Sequence, residues 1–283
     1  LKDEFNFDHI IFRPSTEILI KLNRAGFTKT GDMNWHCHAG IFTYPMQIAI
    51  KYRIPLVFWG DHGFTEQGGM YSHNDFFEYT AKDRYEHALH GFDWFDFVNE
   101  EDLTKKDMDF LVYPSDEEVM EVGLRGIFLS NYFKYDGDYH ASIAEENYNW
   151  ETYSGDFDRT FRKSSNLDDM HENGIHDYLK FIKFGYGRGT DHSNYDIRNG
   201  KMTREEGIEM VLKYDHVKPS DLKRWLEYVD MLEEDFDRIA DTFRDERVWT
   251  IENNCWIKKN INGEKQNYGE VKGFPKWYKT DKS

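Results

Sequence analysis

The sequence predicts an α/β fold, a parallel sheet followed by a carboxy-terminal helical subdomain. Between residues 9 and 59, short apolar runs and helical periodicity follow the order strand, helix, loop, helix, strand, which is what a parallel sheet produces. From Thr203 to Phe243, apolar residues recur at helical spacing in three consecutive stretches. The bulk numbers agree with a packed globule: 283 residues, 39% hydrophobic, 17% aromatic and only six prolines.

Element by element, His9-Ile10-Ile11-Phe12 reads as a strand closed by Pro14. Ser15 to Ala25 reads as a helix, with the Ser15 hydroxyl as cap and Gly26 as stop. Gly31 to Trp35 is turn-like, and Trp35-His36-Cys37-His38 reads as a loop mouth before a helix over Ile41–Tyr52 that must accommodate Pro45. Pro55 to Trp59 is a compact apolar strand ending in Gly60-Asp61. The charged text from Phe76 to Tyr113 reads as helical, on the outside or in an insertion, and Gly126 to Leu129 as one more strand before a turn at Gly137. Residues 150–175 are polar and irregular. Thr203-Arg204-Glu205-Glu206 is a capping box, and helices follow through Leu226 and Phe243. The boundaries are therefore an α/β domain over 1–150, a helical subdomain over 151–250 and a surface tail over 251–283.

A net charge of −17 argues against a nucleic-acid footprint or an anionic membrane surface. Two cysteines, Cys37 and Cys255, give no disulfide framework, and the sequence shows no apolar run of about 18 residues and no signal-peptide pattern at its start. Cytoplasmic location is the expectation.

Three constellations carry chemistry. His36 and His38, at i and i+2, share a face only on a strand, where they would serve a metal-dependent amidohydrolase. On a loop they would be incidental, or would line a substrate pocket with Cys37. Trp59-Gly60-Asp61, supported by Glu66, offers a carboxylate for Mg²⁺ beyond a buried strand, or an ordinary turn. Lys183, Gly185, Tyr186, Gly187 and Arg188, with Arg198 beyond, read as a basic glycine-loosened loop able to wrap phosphate, or as a helix C-cap. Asp191-His192 reads as an oriented imidazole or as surface polarity, and Trp35 and Trp59 as stacking walls or core.

These residues resemble the N-acetyl sugar amidotransferases of bacterial surface-polysaccharide synthesis, relatives of the PP-loop ATP pyrophosphatases. The resemblance runs through Gly31-Asp32 to Phe42, Ile54 to Asp61, and His176-Asp177 to Glu206. It implies a partial PP-loop (adenine nucleotide alpha hydrolase-like) sheet. It also implies ATP and Mg²⁺, a UDP-linked N-acetyl sugar, and ammonia from a partner glutaminase. The carbonyl oxygen would be adenylated and ammonia would displace AMP to leave an acetamidino group, within lipopolysaccharide or O-antigen synthesis. Cys37, His38 and Asp61 would be catalytic; Lys183, Arg188 and Arg198 would grip phosphates. Asp61 stands where the family usually has Glu, and His36 where it has Pro. The family's Ser-Gly-Gly-x-Asp-Ser loop does not occur, which implies the distal part of a longer protein that acts poorly alone. The rival readings are the metal-dependent amidohydrolase and a degenerate scaffold without catalysis.

Overall fold

The computed structural model describes residues 2–60, 77–164, 169–253, 255–259 and 265–266. A short helix α1 (Lys2–Phe5) precedes an extended segment, and among the described residues His9–Phe12 pair with no strand. Ile10, Ile11 and Phe12 remain exposed, so β-branched composition without a partner did not make the expected strand.

Helix α2 (Thr16–Thr30) starts where expected: the Ser15 hydroxyl accepts the Ile18 amide at 3.3 Å. It runs past Gly26 and stops at Gly31, whose left-handed φ of 64° lets its amide bond back to Gly26 and Phe27. Helix α3 (Trp35–Tyr52) then begins at Trp35 itself. The expected Trp35–His38 loop is thus the helix's first turn. Pro45 lies inside α3 and, having no N–H, cannot donate to the carbonyl of the exposed Ile41.

Strand β1 (Leu56–Trp59) pairs in parallel with β2 (Arg125–Phe128), Leu56 opposite Arg125 and Trp59 opposite Phe128. Between them, helix α4 (Ala81–Asp83), a π turn (Arg84–Ala88) and 3₁₀ turns (Trp94–Phe97, Glu100–Asp102, Lys106–Leu111) precede α5 (Asp116–Val122). This segment is not external. Leu89, Phe97, Leu103, Met108 and Leu111 are fully buried against Leu22, Ala25, Trp35 and Ala39. Arg84 anchors it from inside, donating Nη1 and Nη2 to Asp93 at 2.7 and 2.9 Å and Nε to the Thr43 hydroxyl at 2.9 Å.

Gly137 opens helix α6 (Gly137–Tyr148), capped by Asp136, where a turn was expected. After the irregular stretch come α7 (Asn173–Phe184), α8 (Arg188–Arg198), α9 (Arg204–Tyr214), α10 (Leu222–Val229) and α11 (Glu233–Asp241). The Thr203–Glu206 capping box of α9 forms as read. A larger core joins these helices to the first half of the chain: Phe27 and Met33 pack with Ile175, Leu179, Trp225 and Phe236. Arg24 Nε donates to the Val229 carbonyl at 2.5 Å, and the Trp225 indole to Asn23 at 2.9 Å. In and just before the expected tail, the described residues form an antiparallel sheet, β3 (Trp249–Glu252), β4 (Cys255–Lys259) and β5 (Lys265–Gln266). Among the described residues, no helix is long and apolar enough to cross a membrane.

Candidate active site

The turn between α2 and α3 delivers Asp32 into the interior, where it is 2% exposed. Its Oδ1 accepts the Asn34 amide at 2.9 Å, which fixes the carboxylate plane. His38, in the first turn of α3, places Nδ1 3.5 Å from Asp32 Oδ2. From the other half of the molecule, α7 brings His176, whose Nε2 lies 3.9 Å from Asp32 Oδ1. The two imidazoles meet edge to face, centroids 5.3 Å apart. Burial alone would raise the Asp32 pKa, but the charges of His176, His38 and Lys183 outweigh it and hold the carboxyl well below its usual range.

His176 spans two carboxylates, since its Nδ1 is 3.5 Å from Asp177 Oδ1. Asp177 is gripped by Arg188, whose Nε lies 3.2 and 3.0 Å from the two carboxylate oxygens. Lys183, half-buried on α7, has its pKa lowered by desolvation, with Asp32 opposing. His90, at a left-handed turn with φ 56°, completes the rim. Although part of the residue is exposed, desolvation, opposed by Asp32 and aided by the cations around it, pushes its pKa down to about 4.

Cys37 borders this centre, its Sγ 3.4 Å from His36 Nε2. A hollow of about 190 Å³ is lined by His171, Glu172, Asp221, Arg224 and Tyr228, none of them a member of this centre. The Tyr228 hydroxyl, its pKa raised by burial first, also feels Glu172 and Cys37.

Several expected residues sit elsewhere or do other work. His36 and His38 are about 200° apart around α3, so they do not hold one ion. Trp35 is core: fully buried, stacked on Phe97 at 3.9 Å and donating to the Leu89 carbonyl at 3.2 Å. Trp59 packs against Tyr79 at 4.6 Å in the cluster under the parallel sheet. Gly60 accepts the Ser130 amide at 3.0 Å. Asp61 and Glu66 lie outside the described residues.

The glycine-loosened stretch is a helix break. Gly185 ends α7 in the left-handed region and α8 opens at Arg188. The anion at the start of α8 is the protein's own: Asp215, fully buried, accepts the Gly187 amide at 2.9 Å, the Thr190 amide at 3.1 Å and the Thr190 hydroxyl at 2.5 Å. Arg188 is buried against Asp177, and Arg198 stands on the Tyr195 ring at the far end of α8, about 15 Å away along the axis. Arg188 and Arg198 therefore do not close on one phosphate. Tyr186 carries the Lys180 ammonium over its ring at 4.7 Å, and the same ammonium reaches Asp191 at 2.5 Å. Asp191 has its pKa raised by burial. His192 is buried against the Thr160 hydroxyl at 2.6 Å, with desolvation and then Arg188 pushing its pKa to about 2. It is a neutral structural imidazole.

The sequence reading gave no role to Asp32, His176 or Asp177, although each lies in a stretch it singled out, and it passed over His90 and Asp215. Imidazoles, carboxylates and a lysine gathered around the buried Asp32 are the kind of cluster found at functional sites. Residues 144–262 match the family model for the C-terminal domain of WbpG-like LPS biosynthesis proteins, consistent with an N-acetyl sugar amidotransferase-like family. That match links the segment bearing His176, Asp177, Lys183 and Arg188 to lipopolysaccharide biosynthesis. No curated protein matches the chain.

Proposed function

We propose that this protein is an ATP-dependent amidotransferase of lipopolysaccharide biosynthesis, converting the N-acetyl group of a UDP-linked sugar into an acetamidino group. The observation that carries the reading is a convergence. The stretch bearing Asp32 and His38 and the WbpG-like stretch bearing His176 and Lys183 meet at one buried centre. Amination of an adenylated amide needs a group that orients ammonia and takes up its proton as the C–N bond forms and AMP leaves. We assign that role to His176, whose ring nitrogens lie 3.9 Å from Asp32 and 3.5 Å from Asp177. The hollow lined by Glu172 and Tyr228 is of a size for a small acyl arm and far too small for a whole nucleotide sugar. Activation would use ATP, with Mg²⁺ neutralising its phosphates, in a PP-loop-like region. A partner glutaminase would supply ammonia, and the reaction would be cytoplasmic.

The test is direct. The complete natural protein is incubated with UDP-N-acetylhexosamines, ATP, Mg²⁺ and an ammonium salt in place of the glutaminase. Sugar-dependent AMP and pyrophosphate, with a product in which NH replaces the carbonyl oxygen by mass spectrometry, is the expected outcome. His176→Ala should slow amination by roughly 10²- to 10⁴-fold. Release of ADP instead of AMP, or no sugar-dependent cleavage of ATP, would overturn the proposal.

A further inference from the structure

Asp32, His38 and His90 each offer one ligand atom, and the three atoms lie within 4.8 Å of one another. They come from three separate places: the α2–α3 turn, the first turn of α3, and the turn after the π segment. Ligand atoms on a tetrahedral ion with bonds near 2.1 Å are about 3.4 Å apart. His38 Nδ1 and Asp32 Oδ2 already stand at 3.5 Å. His90 sits on an exposed turn, so closing the remaining ångström or so moves a surface side chain and leaves the core in place. Asp32 cannot drift, because the Asn34 amide holds its other oxygen.

We infer that Asp32, His38 and His90 form a site for a divalent transition ion, zinc by the chemistry of its donors. Two imidazole nitrogens and one carboxylate oxygen suit zinc and its neighbours and disfavour Mg²⁺ or Ca²⁺, which take oxygen ligands. Three protein ligands leave a fourth position for water or a small ligand. The alternative for the same residues is a charge network in which His176, His38 and Lys183 balance Asp32 and no ion enters. The inference is separate from the reaction proposed above, since a metal can bind whether or not any sugar is aminated.

Zinc content and Co²⁺ spectra decide between the two. The complete protein, stripped with chelator and refilled, should hold one more equivalent of Zn²⁺ than its His90→Ala variant; metal bound elsewhere in the chain is common to both and cancels. Co²⁺ should give visible d–d bands of low-coordinate intensity in the parent that are lost in His90→Ala and in His38→Ala. Affinity should fall by more than about 100-fold, since even loss of an outer-shell partner costs 10- to 100-fold. Unchanged near-ultraviolet dichroism of His90→Ala, a surface change, confirms that its fold is kept. Equal metal content and identical Co²⁺ spectra in parent and variants would overturn the site.

Discussion

Replacing Asp215 tests the claim that the protein fills the start of α8 with its own carboxylate. Asp215→Ala strands three donors at once: the Gly187 amide, the Thr190 amide and the Thr190 hydroxyl. It also removes a charge close to Arg159, which is buried and donates to the Asp215 carbonyl at 2.7 Å. Each stranded buried donor costs about 1–3 kcal/mol, part of which local rearrangement recovers. Breaking a buried charged network by deleting one partner costs about 3–5 kcal/mol, and we expect Asp215→Ala to fall there. Gly189→Ala strikes the same carboxylate from the other side, with a Cβ 2.8 Å from Asp215 Oδ1 and 3.2 Å from Tyr214 Cβ. Overpacking of that kind costs about 1–3 kcal/mol. Since the added methyl collides chiefly with the carboxylate, its cost should shrink in the Asp215→Ala background, and the double variant should be less destabilised than the sum. Urea unfolding followed by far-ultraviolet dichroism and tryptophan fluorescence reads all four proteins, provided the two probes coincide. A loss below about 1 kcal/mol for Asp215→Ala, or strict additivity, would refute the reasoning.

Two other outcomes follow from the same coordinates. Burial opposes the charge on Asp177, but Arg188 and then His176 more than compensate, so its carboxyl is held far below the normal range. Its ionised form therefore adds stability that is present above about pH 4 and is lost as pH falls toward the folded value. Asp177→Asn should flatten the fall in stability between about pH 5 and 3, measured by unfolding at stepped pH; an unchanged slope would remove the assignment. Trp35→Ala should cost about 3–5 kcal/mol in unfolding free energy, because the indole fills the core against Phe97. Near-neutral stability there would instead favour a ligand-stacking side chain.

What the sequence disclosed depended on whether the signal was local. The Ser15 cap and the Thr203–Glu206 box are reciprocal bonds within one helical turn, so residue identity at fixed spacing suffices. The two parallel strands were legible as short apolar runs between breakers. His9–Phe12 failed because a strand exists only with a partner, and composition is silent about partners. The 84–113 segment hid its core role because its apolar residues sit on 3₁₀ and π turns without a 3.6-residue rhythm. The glycines at 185–189 looked like a ligand cradle because the carboxylate that needs them lies 28 residues from Gly187. His90 offered no local signal: its relation to Asp32 exists only across the fold.

The shared core around Phe27 and Met33 bears on how the protein can be dissected. A family boundary at residue 144 marks where likeness begins, yet the hydrophobic interior ignores that line. An expressed piece starting there would carry an open socket in place of two large apolar side chains, and a Val229 carbonyl without its guanidinium. Such a piece should be sticky and poorly folded until it is given α2 back, even as a separate peptide.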